Sequence, residues 1–213
     1  MNAADPTERE GATASAAALR AVVAAVGHDL NNHLATILGR AELALSWEDP
    51  DRWRAALDAV ARAGDRARVL VADLQRLAQW SAPDVEPAPL GDVLSTAARL
   101  AARSAQRSSV RIVVSPSMPP CRAHRPAAAT LAVWGALRAA LAASPGEGTR
   151  EWRLSADDES GLTVLAEADR PLDPAAFAEA ARLGGGVRLP LATLLDDAGA
   201  SHELDGPRLR LRF

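Results

Sequence analysis

The sequence predicts an α+β fold: a long helical hairpin that dimerises, followed by an α/β sandwich. Three observations carry this prediction. Ala14 to Trp47 runs without proline and spaces its apolar residues helically. In the next run Trp53, Leu57, Val60, Gly64, Ala67, Val71, Leu74 and Ala78 step by 4, 3, 4, 3, 4, 3 and 4, a heptad-like seam suited to a bundle. Beyond a proline-rich break, helical and alternating segments succeed each other, as in a layered α/β unit.

The elements follow in order. Residues 1–13 are polar and are expected to be a disordered tail. Residues 14–81 form the hairpin: a first helix over Ala14–Trp47, a turn at Glu48-Asp49-Pro50-Asp51, and a second helix over Arg52–Trp80. Asp49 or Asp51 caps the second helix, and Trp47 and Trp53 pack across the turn. The seam is short and rich in alanine and glycine, too weak for an isolated hairpin, so a homodimer is expected. Residues 82–89, with Pro83, Pro87 and Pro89, read as a linker.

Residues 90–213 form the second unit. Leu90 to about Gln106 is helical, Val110–Ser115 is a β-rich run, and Pro126–Ala143 is an Ala/Leu-rich helix. Glu151–Ser155 and Leu162–Ala166 form a hairpin around Asp157-Asp158-Glu159-Ser160-Gly161. Ala175–Arg182 and Leu189–Asp197 are short helices, the latter stopped by Gly199. The alternation from Arg208 to Phe213 is a strand with its apolar residues on one face. The helices therefore cover one face of the sheet.

Composition narrows the chemistry. Apolar residues make up 48% of the 213, yet aromatics only 3%, so the core is built from Ala, Leu and Val. Cys121 is the only cysteine, which excludes an internal disulfide and a cysteine-based zinc site, and it reads as a small buried residue. All basic residues are arginine, which excludes Schiff-base chemistry and a P-loop lysine. The net charge of −3 argues against nucleic acid as a general partner. No apolar run reaches the roughly 20 residues that span a bilayer, and the N-terminus lacks the pattern of a signal peptide. No membrane association is expected, and the reading is a cytoplasmic protein.

The stretch Gly27-His28-Asp29-Leu30-Asn31-Asn32-His33-Leu34 concentrates the reactive side chains. His28 and Asn32 lie within about 40° of each other on a helix, away from the apolar positions Leu19, Val22, Val23, Val26, Leu30, Leu34, Ile37, Leu38 and Leu45. An outward-facing neutral imidazole is a nucleophile at physiological pH. Asp29 is placed to orient the ring, and Asn32 to hold a phosphoryl oxygen or a water. The His28 face also carries Ala17, Ala21, Ala24, Ala35 and Gly39. These small residues suit close approach of another protein, with Asn31, Ala35 and Gly39 as partner-binding candidates; they equally suit close helix packing within the molecule. His124 and His202 are far apart and lack a metal spacing.

The segment Val26–Leu45, VGHDLNNHLATILGRAELAL, resembles the phosphoacceptor box of sensor histidine kinases. The agreement covers His28, Asp29, Asn32, Leu34, Ile37, Leu38, Gly39, Glu42 and Leu43. His33 stands where the family usually has proline, which lessens any kink after the phosphoacceptor. The resemblance implies that the box opens a two-helix hairpin, that two hairpins pair into a four-helix bundle, and that His28 accepts a phosphoryl group. The sensor and membrane segments of most such kinases are not expected here.

The second unit resembles the ATP-binding domain of the same kinases in element order but not in motifs. The helix near Trp134 should carry two asparagines, one of them a magnesium ligand; the matching positions are Gly135 and Ala139. Neither offers the oxygen a hard cation needs. The adenine-contacting Asp-x-Gly-x-Gly loop is reduced to Asp169 without its glycines. A late glycine-rich loop survives as Leu183-Gly184-Gly185-Gly186-Val187, which would cradle phosphate or simply turn the chain. This combination resembles the dimeric histidine phosphotransferases of bacterial phosphorelays.

Seven arginines and no acid lie between Val93 and Gly146, with Arg99, Arg103 and Arg107 forming a helical stripe. A receiver domain carries a carboxylate cluster, so Arg99 and Arg103 are partner-binding candidates; a solvated helix face is the plainer reading. The expected function is phosphotransfer through His28 between receiver-domain aspartates, with response-regulator receivers and an upstream hybrid histidine kinase as partners. No cofactor is expected in this chain, magnesium coming with the receiver. The alternatives are a divergent ATP-dependent kinase and a non-catalytic pseudokinase scaffold.

Overall fold

A computed structural model describes residues 6–144, 150–157, 163–168, 171–183 and 190–213. Contacts divide the chain into two compact units, one of residues 22–76 and one of residues 1–21 with 77–213. The first is the hairpin. Helix α1 spans Pro6–Leu45 and helix α2 spans Pro50–Trp80. Helix α1 thus begins at Pro6, eight residues before the expected start, so residues 6–13 are helical rather than part of a tail. Pro6 suits a first helical turn, and an alanine-rich sequence follows that favours the helix. The helix passes through His33 without a break, as expected from the missing proline.

The turn is built as the sequence requires. Asp49 Oδ1 accepts the Asp51 backbone N–H at 2.9 Å, closing the start of α2 ahead of Pro50. Trp53 Nε1 donates to the Trp47 carbonyl at 2.7 Å, and the Arg52 guanidinium lies 5.8 Å from the Trp47 ring centroid.

Burial in the hairpin departs from the expected seam. Among the described residues, Val22 and Val26 of α1 and Ala56, Ala63, Ala67 and Leu77 of α2 are the buried apolar positions. Of the predicted seam, Trp53 is 44% exposed, Leu57 64% and Val71 39%. The reason is angular. At about 100° per residue the seam lies beside the buried stripe of α2 and overlaps it only at Ala67, so most of it faces outward. The apolar face of α1 splits in the same way: Val22 and Val26 turn inward, whereas Val23, Leu34, Leu38 and Leu45 are exposed.

The second unit joins α3 (Leu90–Arg107), α4 (Pro126–Ala142), α5 (Pro174–Leu183) and α6 (Leu191–Ala198) to a five-stranded sheet. Two-residue strands β1 (Ala88–Pro89) and β3 (Arg122–Ala123) pair antiparallel, so the expected linker ends in structure. The main sheet contains β2 (Val110–Val114), β4 (Arg150–Asp157), β5 (Thr163–Ala168), β6 (Ser201–Asp205) and β7 (Arg208–Arg212), in the order β2-β4-β5-β7-β6. Only the β2–β4 pairing is parallel. Strand β6 is an addition to the expected elements. It forms a hairpin with β7 through the two-residue turn Gly206-Pro207, where Gly206 takes a φ of 55°.

One sheet face is apolar and one is charged. Trp152, Leu154, Leu209 and Leu211 are buried on the helix side. The other side carries a ladder of ion pairs: Arg111–Glu151, Arg153–Glu151, Arg208–Glu167 and Arg212–Glu203. This is the two-sided pattern expected of a sheet with helices on one face. Helix α6 ends at Gly199, whose φ of 66° is the left-handed cap expected there. Arg150 is buried and donates to the Ser108 carbonyl at 2.6 Å and to Ser144 Oγ, tying the α3–β2 turn to the end of α4. Cys121 is partly exposed, rather than buried.

Candidate functional site

The hairpin unit carries the histidine box on the middle turns of α1. His28 and Asn32 are exposed, and Asp29 and His33 are half-buried. One helical turn separates His28 from Asn32, a rise of about 6 Å on one face. Around α1, three sectors follow one another. Val22 and Val26 occupy the buried one, Leu34, Leu38 and Leu45 an exposed apolar one, and His28, Asn32, Ala35 and Gly39 the third. The imidazole thus stands on a helix face not filled by this chain's core. Asn31 and Ala35 are exposed and Gly39 is half-buried; a Cβ added at Gly39 would meet nothing within 4 Å. Within the chain, then, Gly39 is not required for close packing. The Thr36 hydroxyl donates to the Asn32 backbone carbonyl one turn back at 2.9 Å.

The exposed apolar sector is what sequence reasoning missed. Its signal was present: Leu34, Leu38 and Leu45 fall about 60° or more away from Val22 and Val26, too wide a spread for one stripe against one neighbouring helix.

The arginine candidates belong to the other unit. Arg99 is half-buried and its guanidinium donates to Thr96 Oγ1 at 3.2 Å. The backbone of Arg103 lies within α3; its side chain is outside the described residues. Several of the seven arginines have structural duties. Arg125 pairs with the buried Asp197 at 2.9 Å, and Arg122 donates to the Pro87 carbonyl. Arg138 lies 5.1 Å from the Trp134 ring centroid and donates to Ser104 Oγ at 3.0 Å. Burial, aided by the nearby Arg107 charge, lowers the Arg138 pKa.

Helix α4 decides whether magnesium and nucleotide fit. Trp134, Ala136, Leu137, Ala139 and Ala140 are all buried. At Gly135 an added Cβ would lie 2.5 Å from Leu194 Cδ1 of α6 and 3.5 Å from Leu191 Cδ1. Position 135 is therefore occupied by its neighbour's side chain, and Ala139 is 1% exposed. Neither position has an oxygen to offer a metal, and among the described residues no group of three or more His, Cys, Asp or Glu side chains is placed to hold one. Asp169 and the glycines at 184–186 lie outside the described residues. His124 is exposed, and His202 packs against Phe177 with ring centroids 5.7 Å apart.

The chain folds as a helical hairpin bearing a histidine box, followed by an α/β unit. Residues 18–83, which hold the hairpin, match the His Kinase A (phospho-acceptor) domain. Among solved structures, the chain is similar to the cytoplasmic segment of histidine kinase QseC, at 19% identity over 70% of this chain and 93% of that one, with a TM-score of 0.42. It is also similar to the Acinetobacter baumannii histidine kinase AdeS, at 12% identity over 86% and 94%, with a TM-score of 0.42. A third is the histidine kinase domain of the Erythrobacter litoralis EL346 blue-light activated histidine kinase, at 15% identity over 85% and 92%, with a TM-score of 0.45. No curated protein matches the sequence. No helix among the described residues is long and apolar enough to cross a membrane.

Proposed function

We propose that this chain is a histidine phosphotransfer protein that relays a phosphoryl group between receiver-domain aspartates through His28. The observation that carries the reading is the pairing of an exposed His28 in a phospho-acceptor domain with an α4 whose positions 135 and 139 are sealed in apolar packing. The chain keeps the acceptor and lacks the ligands for a magnesium–nucleotide complex at those positions.

In the proposed reaction a receiver bearing phosphoaspartate docks on the bundle face around His28, with Asn31, Ala35 and Gly39 in contact. The lone pair of a neutral imidazole nitrogen attacks phosphorus in line. The bond from phosphorus to the aspartyl oxygen breaks, and the aspartate leaves as a free carboxylate. Asp29 holds the proton-bearing second ring nitrogen, stabilising the cation that forms, and Asn32 donates to a phosphoryl oxygen. Transfer to a second receiver reverses these steps. Magnesium comes with the receiver's own acidic pocket, and the catalytic demand on this chain is positioning and electrostatics. Arg99 and Arg103 steer the acidic receiver, a hybrid histidine kinase supplies the first phosphoaspartate, and a second copy completes a four-helix bundle.

The test is incubation of wild type and His28→Ala with γ-labelled ATP and magnesium, and separately with a labelled phospho-receiver. Label on wild type from the receiver alone is the expected result, and His28→Ala stays unlabelled. Label from ATP on wild type alone identifies a divergent kinase and overturns the α4 argument. No label from either donor identifies a pseudokinase scaffold.

A further inference from the structure

We draw no further inference here: the strongest candidate, the cavity of about 430 Å³ between the start of α4, residues 80–85 and the Ala16 and Leu19 positions of α1, has a helix N-terminus, an exposed His124 and an Arg125 already paired with Asp197 as its charged lining, and nothing in the structure shows what fills it.

Discussion

His28 and Asp29 are neighbours in sequence, about 100° apart on α1, so the carboxylate reaches the ring only through its rotamer. Asp29→Asn keeps the shape and removes the charge that would stabilise the imidazolium. Transfer from a phospho-receiver should slow by about 10- to 100-fold in that variant, with receiver affinity unchanged, measured by rapid-quench labelling. Gly135 tests the opposite end of the argument. A side chain there meets Leu194 at a separation no Cβ tolerates. Gly135→Asn should cost roughly 1–3 kcal/mol through overpacking and lower the thermal midpoint by several degrees. It should also fail to confer nucleotide binding, as read by calorimetry with ATP and magnesium.

Among the elements, the hairpin shows most clearly what a single chain leaves undone. Leu38 is 62% exposed and Leu57 64%, one on each helix, in sectors adjacent to the buried stripes. Leu38→Glu should shift a dimer toward monomer in sedimentation while the helical signal stays the same. The sequence disclosed these helices well, because periodicity over thirty residues or more outweighs local exceptions. It did not disclose which apolar stripe turned inward, since two stripes at neighbouring angles read alike in a one-dimensional pattern. The ends of elements followed familiar residues: Asp49 closes the start of α2, and Gly199 the end of α6. Strand β6 escaped notice because Ser-His-Glu-Leu-Asp has one apolar residue in five, although Gly206-Pro207 ahead of an alternating strand is a turn signal. At the candidate site, the box residues and the oxygen-free side chains at 135 and 139 were readable as residue types. The leucine from α6 lodged against Gly135 is a long-range contact that no local pattern encodes.

Across the whole molecule, the open face of the sheet ties stability to pH. Hydrogen bonding and charge from Arg111 hold the Glu151 carboxyl below the usual carboxylate range. A carboxyl lowered in the folded state stabilises fully above the unfolded carboxylate range, and that share is lost as pH falls through the lowered value. The thermal midpoint should therefore fall on acidification below about pH 4. Glu151→Gln should flatten part of that fall, and added salt should shrink the difference between the two proteins, since the pair is exposed. The contact between Gly135 and Leu194 has a consequence of another kind, for the order in which substitutions are tolerated. An asparagine at 135 fits better beside a smaller residue at 194, and Leu194, only 2% exposed, leaves a void costing about 2–5 kcal/mol when cut to alanine. Either first step is a handicap that the second relieves, so the two positions are coupled: the order in which they change sets the stability lost on the way.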